Sequence, residues 1–132
     1  MAISKVQAPG KTSGLISLAD SLNTNYFQYG SGGYARYGHM VFVNLRVNVV
    51  NTIPDGGGVN TLGILNAGGL PAPIQDGNSV VTPVILSAYE QGSGSALNPY
   101  VLASGGLVFG RDFPGMSTNK AIWISGVYLT DN

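Results

Sequence analysis

The chain has 132 residues, 20 of them Gly and 7 Pro, with 9% charged side chains, one His and no Cys. Six Lys and Arg balance six Asp and Glu, so there is no basic footprint for nucleic acid, and the lack of Cys excludes a disulfide framework and thiolate chemistry. The length fits one domain with a core of its own, and so little charge argues against a self-repelling disordered chain.

Residues 1–25 read as an N-terminal extension or arm. Its first ten residues lack the apolar run of a secretory signal, so no signal peptide is expected. Leu15, Leu18, Ala19 and Leu22 have helical spacing between Gly14 and Leu22, but Asp20 and Asn23 limit this to a short helix or turn.

From residue 26 to 132 the signals are β. Short strands are expected at Tyr26–Tyr29 and Tyr34–Tyr37, around a Gly30-Ser-Gly-Gly turn. Met40 to Val50 alternates: Val41, Val43, Leu45, Val47 and Val49 share one face, and Phe42, Asn44, Arg46 and Asn48 the other. That pattern is a half-buried antiparallel strand. Pro54-Asp-Gly-Gly-Gly is turn chemistry, followed by a short strand at Thr61–Leu65 and the Asp76-Gly-Asn turn. Val80 to Tyr89 reads as a strand with Val84, Leu86 and Ala88 opposite Ile85, Ser87 and Tyr89, and Pro83 marks an edge or a start. After a Gly92-Ser-Gly-Ser loop come short strands at Tyr100–Ala103 and Leu107–Phe109, then a turn at Gly115. The last strand, Ala121 to Thr130, sets Ile122, Ile124 and Tyr128 against Trp123, Val127 and Leu129, with Trp123 expected in the core. About eight strands with frequent turns describe an all-β antiparallel β-sandwich or jelly roll. No run approaches the roughly 20 apolar residues of a membrane helix, so no membrane insertion is expected.

Catalytic groups are scarce. His39 has no acidic partner at a ligand spacing, and a structural or surface role is expected for it. No Gly-x-Ser-x-Gly elbow is present, Asp76-Gly-Asn falls short of a calcium loop, and the six carboxylates are scattered. No catalytic residue, metal ligand or cofactor is assigned, and an enzyme is the weakest reading. Tyr26, Phe27, Tyr29, Tyr34 and Tyr37 form a cluster that could stack on sugar rings, cover a hairpin or fill a subunit interface. With 11 Asn, 12 Ser and 7 Thr in place of charge, the surface suits a persistent oligomer or neutral glycan recognition.

Several segments together carry a likeness. Tyr37-Gly38-His39-Met40-Val41-Phe42-Val43-Asn44 opens the long strand, and Thr61-Leu-Gly-Ile-Leu-Asn-Ala-Gly-Gly-Leu-Pro-Ala-Pro stands where a proline loop belongs. Gly106-Leu107-Val108-Phe109 follows as a late hairpin, and Ile124-Ser125-Gly126-Val127-Tyr128-Leu129-Thr130 ends the order. Over residues 26–132 this resembles the C-terminal head domain of bacteriophage tail-fibre or receptor-binding proteins. The loop departs from that pattern, with Asn66 for the first Pro and Gly69-Leu70 for Gly-Tyr.

The resemblance implies a homotrimeric, jelly-roll-like head in a virion, at a tail-fibre tip. It would bind a host-surface saccharide or protein receptor and contact other virion proteins, either as an excised tip or as a whole small virion protein. It carries over no site residue. Tyr29, Tyr34, Tyr89 and Tyr100, on loops at one end, are the candidate ligand contacts. A trimeric jelly-roll capsid decoration protein is the alternative, and a polysaccharide-degrading enzyme a more distant one.

Overall fold

A computed structural model describes residues 14–76, 79–80, 84–91, 96–111 and 113–131. The first part of the N-terminal arm, the tip of the Asp76-Gly-Asn turn, Pro83 and the Gly92-Ser-Gly-Ser loop lie outside the described residues.

The fold is all-β, a sandwich of two antiparallel sheets. Its strands are β1 (Ile16–Ser17), β2 (Phe27–Tyr37), β3 (Met40–Val49), β4 (Leu62–Leu65), β5 (Gln75–Asp76) and β6 (Ser79–Val80), followed by β7 (Val84–Ile85), β8 (Ser87–Glu90), β9 (Ala96–Leu97), β10 (Pro99–Val101), β11 (Leu107–Phe109) and β12 (Ala121–Leu129). One sheet runs β1-β2-β3-β12-β8-β9 and the other β4-β11-β10-β7, while β5 and β6 form a separate ribbon. Twelve strands among the described residues exceed the expected eight or so because several are only two residues long.

The alternation read from the sequence sets the core. Val41, Val43, Leu45, Val47 and Val49 are all buried, as are Ile122, Ile124 and Tyr128 on the neighbouring β12. Leu62, Ile64, Val101, Leu107 and Phe109 meet them from the second sheet in one continuous cluster. Fully burying such a side chain is worth roughly 1.5–3 kcal/mol, so the centre of the sandwich is its strongest part. Between Leu18 and Leu22, both buried, the expected short helix is a single 3-10 turn at Ala19–Ser21. Ile16 and Ser17 before it pair with Tyr34 and Gly33 of β2, so the chain there is extended and Leu15 points to solvent.

Two expectations about strands are corrected. The segments 26–29 and 34–37 are not separate strands around a glycine turn. They belong to one 11-residue strand, β2, which pairs with β3 from Phe27↔Val49 to Tyr37↔Met40. The register shifts between Tyr29 and Ser31, so Gly30 is the extra residue of a β-bulge. The glycines serve close backbone approach rather than reversal: a Cβ on Gly33 would lie 1.9 Å from the Ile16 carbonyl oxygen of β1. The actual reversal is Gly38-His39, with Gly38 at φ 62°, where a two-residue hairpin needs a positive φ.

The segment 80–89 is likewise not one strand. Its alternation holds, with Leu86 and Ala88 buried and Ile85, Ser87 and Tyr89 exposed. However, β7 pairs with β10 in the four-stranded sheet and β8 with β12 in the six-stranded one. The chain changes sheets at Leu86, whose N–H donates to the Pro99 carbonyl at 2.9 Å. Gly126 on β12 makes room for this crossing, because a Cβ there would lie 2.7 Å from Leu86 Cδ2.

Candidate functional site on the outer sheet face

The segments 37–44 and 124–130 lie side by side. β12 pairs with β3 over nine consecutive positions, from Ala121↔Asn48 to Leu129↔Met40. Both therefore build the centre of the six-stranded sheet, with one face in the core and the other open.

The open face is organised in rows, because residues directly opposite on neighbouring strands project to the same side. The first row runs Tyr89, Trp123, Arg46 and Ser31 across β8, β12, β3 and β2. Trp123 was expected in the core, but it is 36% exposed and Tyr89 is 46% exposed. Alternation from the buried Ile122 and Ile124 forces Trp123 outward, since a strand cannot bury both faces against a single opposing sheet. The Arg46 guanidinium lies 5.5 Å from the Trp123 ring centroid, a cation–π contact. Arg46 Nε is buried and has no hydrogen-bond partner.

The next row is small and polar: Ser87, Ser125, Asn44 and Gly33. Two apolar rows follow, Val127, Phe42 and Ala35, then Leu129, Met40 and Tyr37. Phe42 is 44% exposed and Val127 51%, and Met40, Leu129 and Tyr37 are exposed beside them. Exposed Ile74, whose N–H donates to the Leu129 carbonyl at 2.9 Å, extends this end. Among the described residues of β2, β3, β8 and β12 that alternate to this face, Arg46 is the only charge.

The four tyrosines proposed as ligand contacts do not converge. All four stand in strands rather than in loops at one end. Tyr29 and Tyr34 pair with Val47 and Val43, on the core face of β2, and both are partly buried against the core. Tyr29 spends its hydroxyl inside the bulge, donating to the Gly32 carbonyl at 2.6 Å. Tyr89 stands on the opposite, outer face of the same sheet. Tyr100 is on the other sheet, where it lines a cleft of about 320 Å³ with Ile85, Phe109, Phe113 and Pro114. Only Tyr89 belongs to the outer-face row, and its partners there, Trp123 and Arg46, were not among the candidates. The period-two pattern of 121–130 already put Trp123 opposite Ile122, Ile124 and Tyr128; it lacked only the choice of which face is buried.

His39 is held structurally: its Nδ1 is 3.1 Å from the Thr130 carbonyl, and the Thr130 N–H donates to the His39 carbonyl at 2.9 Å. Tyr128 is buried, and its hydroxyl donates to the Pro71 carbonyl at 2.6 Å. Desolvation, with Tyr34 nearby adding to it, holds this phenol well above the usual tyrosine range. Among the described residues no cluster of three His, Cys, Asp or Glu could hold a metal ion, and no helix is long and apolar enough to cross a membrane.

No protein-family model, curated protein or solved structure matches this chain.

Proposed function

We propose that this chain is a bacteriophage virion module of the tail-fibre or receptor-binding-tip kind. In this reading it is a jelly-roll-like sandwich that assembles as a homotrimer and binds a host-surface glycan or protein without chemical turnover. The observation that carries the reading is the outer face of the six-stranded sheet. Rows of exposed Met40, Phe42, Val127 and Leu129 adjoin a neutral polar row and an aromatic row holding Arg46. A contiguous exposed apolar patch marks an interaction surface, and in a trimer the same uncharged rows of three sister subunits would converge on the threefold axis. Chain crossings between the sheets, such as the one at Leu86, suit a jelly-roll-like course. The pairing of the Tyr37–Asn44 and Ile124–Thr130 segments supports the family resemblance, since motifs distant in sequence form one structural unit.

The test combines solution mass with adhesion. A sedimentation mass of three chains, and saturable binding of the purified protein to the host cell or its surface polysaccharide, are the expected results. A single-chain mass together with no binding would overturn the reading. Immunogold labelling of particles on the capsid instead of the fibre tips would replace the tip with the decoration role.

A further inference from the structure

We infer that Arg46, Trp123 and Tyr89 form a subsite for a pyranose that carries a carboxylate. This deepens, and rests on, the reading of the chain as a glycan-binding module. Three adjacent strands present the three side chains in one row, with Trp123 directly opposite both Arg46 and Tyr89. Two exposed aromatic rings side by side offer apolar faces and edges of the size that sugar C–H groups pack against. One step along the strands, exposed Ser87, Ser125 and Asn44 supply neutral donors and acceptors at the spacing where ring hydroxyls would extend.

Arg46 selects for charge. Its cross-strand neighbours are Trp123 and Ser31, and its same-face neighbours along β3 are Asn44 and Asn48, so none of these described neighbours supplies a counter-charge. Arg46 Nε is buried without a hydrogen-bond partner and closed to a ligand, which leaves the terminal Nη groups as the donors a carboxylate would meet. The guanidinium is held in place, over Trp123 on one side and against the Gly30 bulge on the other. A planar, fixed and uncompensated guanidinium matches a carboxylate, which it can bind through two parallel N–H donors. The shared chemistry is a carboxylated sugar ring, whether a uronic acid or a sialic acid.

Calorimetric titration of the full chain with trigalacturonate, oligosialic acid, trigalacturonate methyl ester and maltotriose tests this. At least one acid should bind, with the ester or neutral sugar weaker by about tenfold or more, the size of one lost charge-assisted contact. Arg46→Gln should lose about tenfold on the acid alone, and Trp123→Ala about tenfold on every bound sugar, with Trp123→Phe retaining most binding. Equal binding of acid and ester, or binding of the neutral sugar alone, would overturn the carboxylate subsite and leave glycan attachment standing. No binding to any sugar on a broad glycan array would overturn both. A fall in oligomer mass on Arg46→Gln or Trp123→Ala would identify the row as a subunit contact and overturn the subsite.

Discussion

Gly30, the extra residue of the β2 bulge, stands directly against Arg46 of β3. A Cβ on Gly30 would lie 2.6 Å from Arg46 Nε and 2.8 Å from the Arg46 carbonyl oxygen. The missing side chain thus lets the guanidinium reach within 5.5 Å of the Trp123 ring centroid, joining a feature of the sheet backbone to the chemistry of its outer face. Bulges commonly re-aim a side chain, and this one seats a cation over an indole.

Gly30→Ala should therefore cost about 1–3 kcal/mol of stability, because one contact is with rigid backbone and cannot relax by a rotamer change. It should also move Arg46 off Trp123. Trp123 is the only tryptophan, so a urea melt followed by its emission reports both effects. An unchanged midpoint and spectrum would mean that the bulge does not seat Arg46.

The apolar end of the outer face gives an assembly prediction. Phe42→Asp and Val127→Asp should each reduce the oligomer to single chains at micromolar concentration. The isolated fold should change by only about 0.5 kcal/mol, since neither side chain is in the core. Sedimentation and circular dichroism on the same samples separate loss of assembly from loss of fold.

Tyr128 gives a pH prediction. Its phenol is shifted upward in the folded chain, first by desolvation and then by Tyr34, whereas an unfolded tyrosine ionises near pH 10. Above about pH 10 the folded state therefore holds a proton that the unfolded state has released. This contribution to stability is fully present below that pH and is lost as the pH rises, by at most about 1.4 kcal/mol per pH unit. Tyr128→Phe should flatten this alkaline slope. It should also cost about 1–2 kcal/mol at neutral pH, since the Pro71 carbonyl loses its donor. Denaturant melts from pH 8 to 11 check both.

In the core, Ile124→Ala should destabilise by about 2–5 kcal/mol, because Ile124 is fully enclosed between the sheets. Ser125→Ala, one residue on and outward-facing, should cost about 0.5 kcal/mol or less. Equal costs at the two positions would contradict the assigned faces of β12.

Much of this architecture was legible in the sequence, and the reason is physical. Period-two alternation is strict where a strand has one wet and one dry face, so the buried face of 40–49 is legible, whereas in 121–129 the alternation sorts the residues into two faces without saying that Trp123 lies on the open one. Glycines were misread because their composition is the same whether they turn a chain or let two backbones approach. In β2 the distinction is made by β1 and β3, which come from elsewhere in the chain. The split of 80–89 was hidden for a similar reason: alternation continues through Leu86, and the change of sheet shows only in the pairing of β7 with β10 and of β8 with β12. At the candidate site, Tyr89 was identifiable as a ring with a polar handle. Arg46 and Trp123 were not, because the row that unites them with Tyr89 depends on the register of strands far apart in sequence.

The trimer reading requires the outer face of the six-stranded sheet to be a meeting surface. Sedimentation equilibrium of the wild-type chain and of Phe42→Asp at micromolar concentration measures this. The expected result is three times the 13.6 kDa chain mass for the wild type and a single-chain mass for the variant. A wild-type mass of one chain, or a trimer that persists in Phe42→Asp, would contradict it.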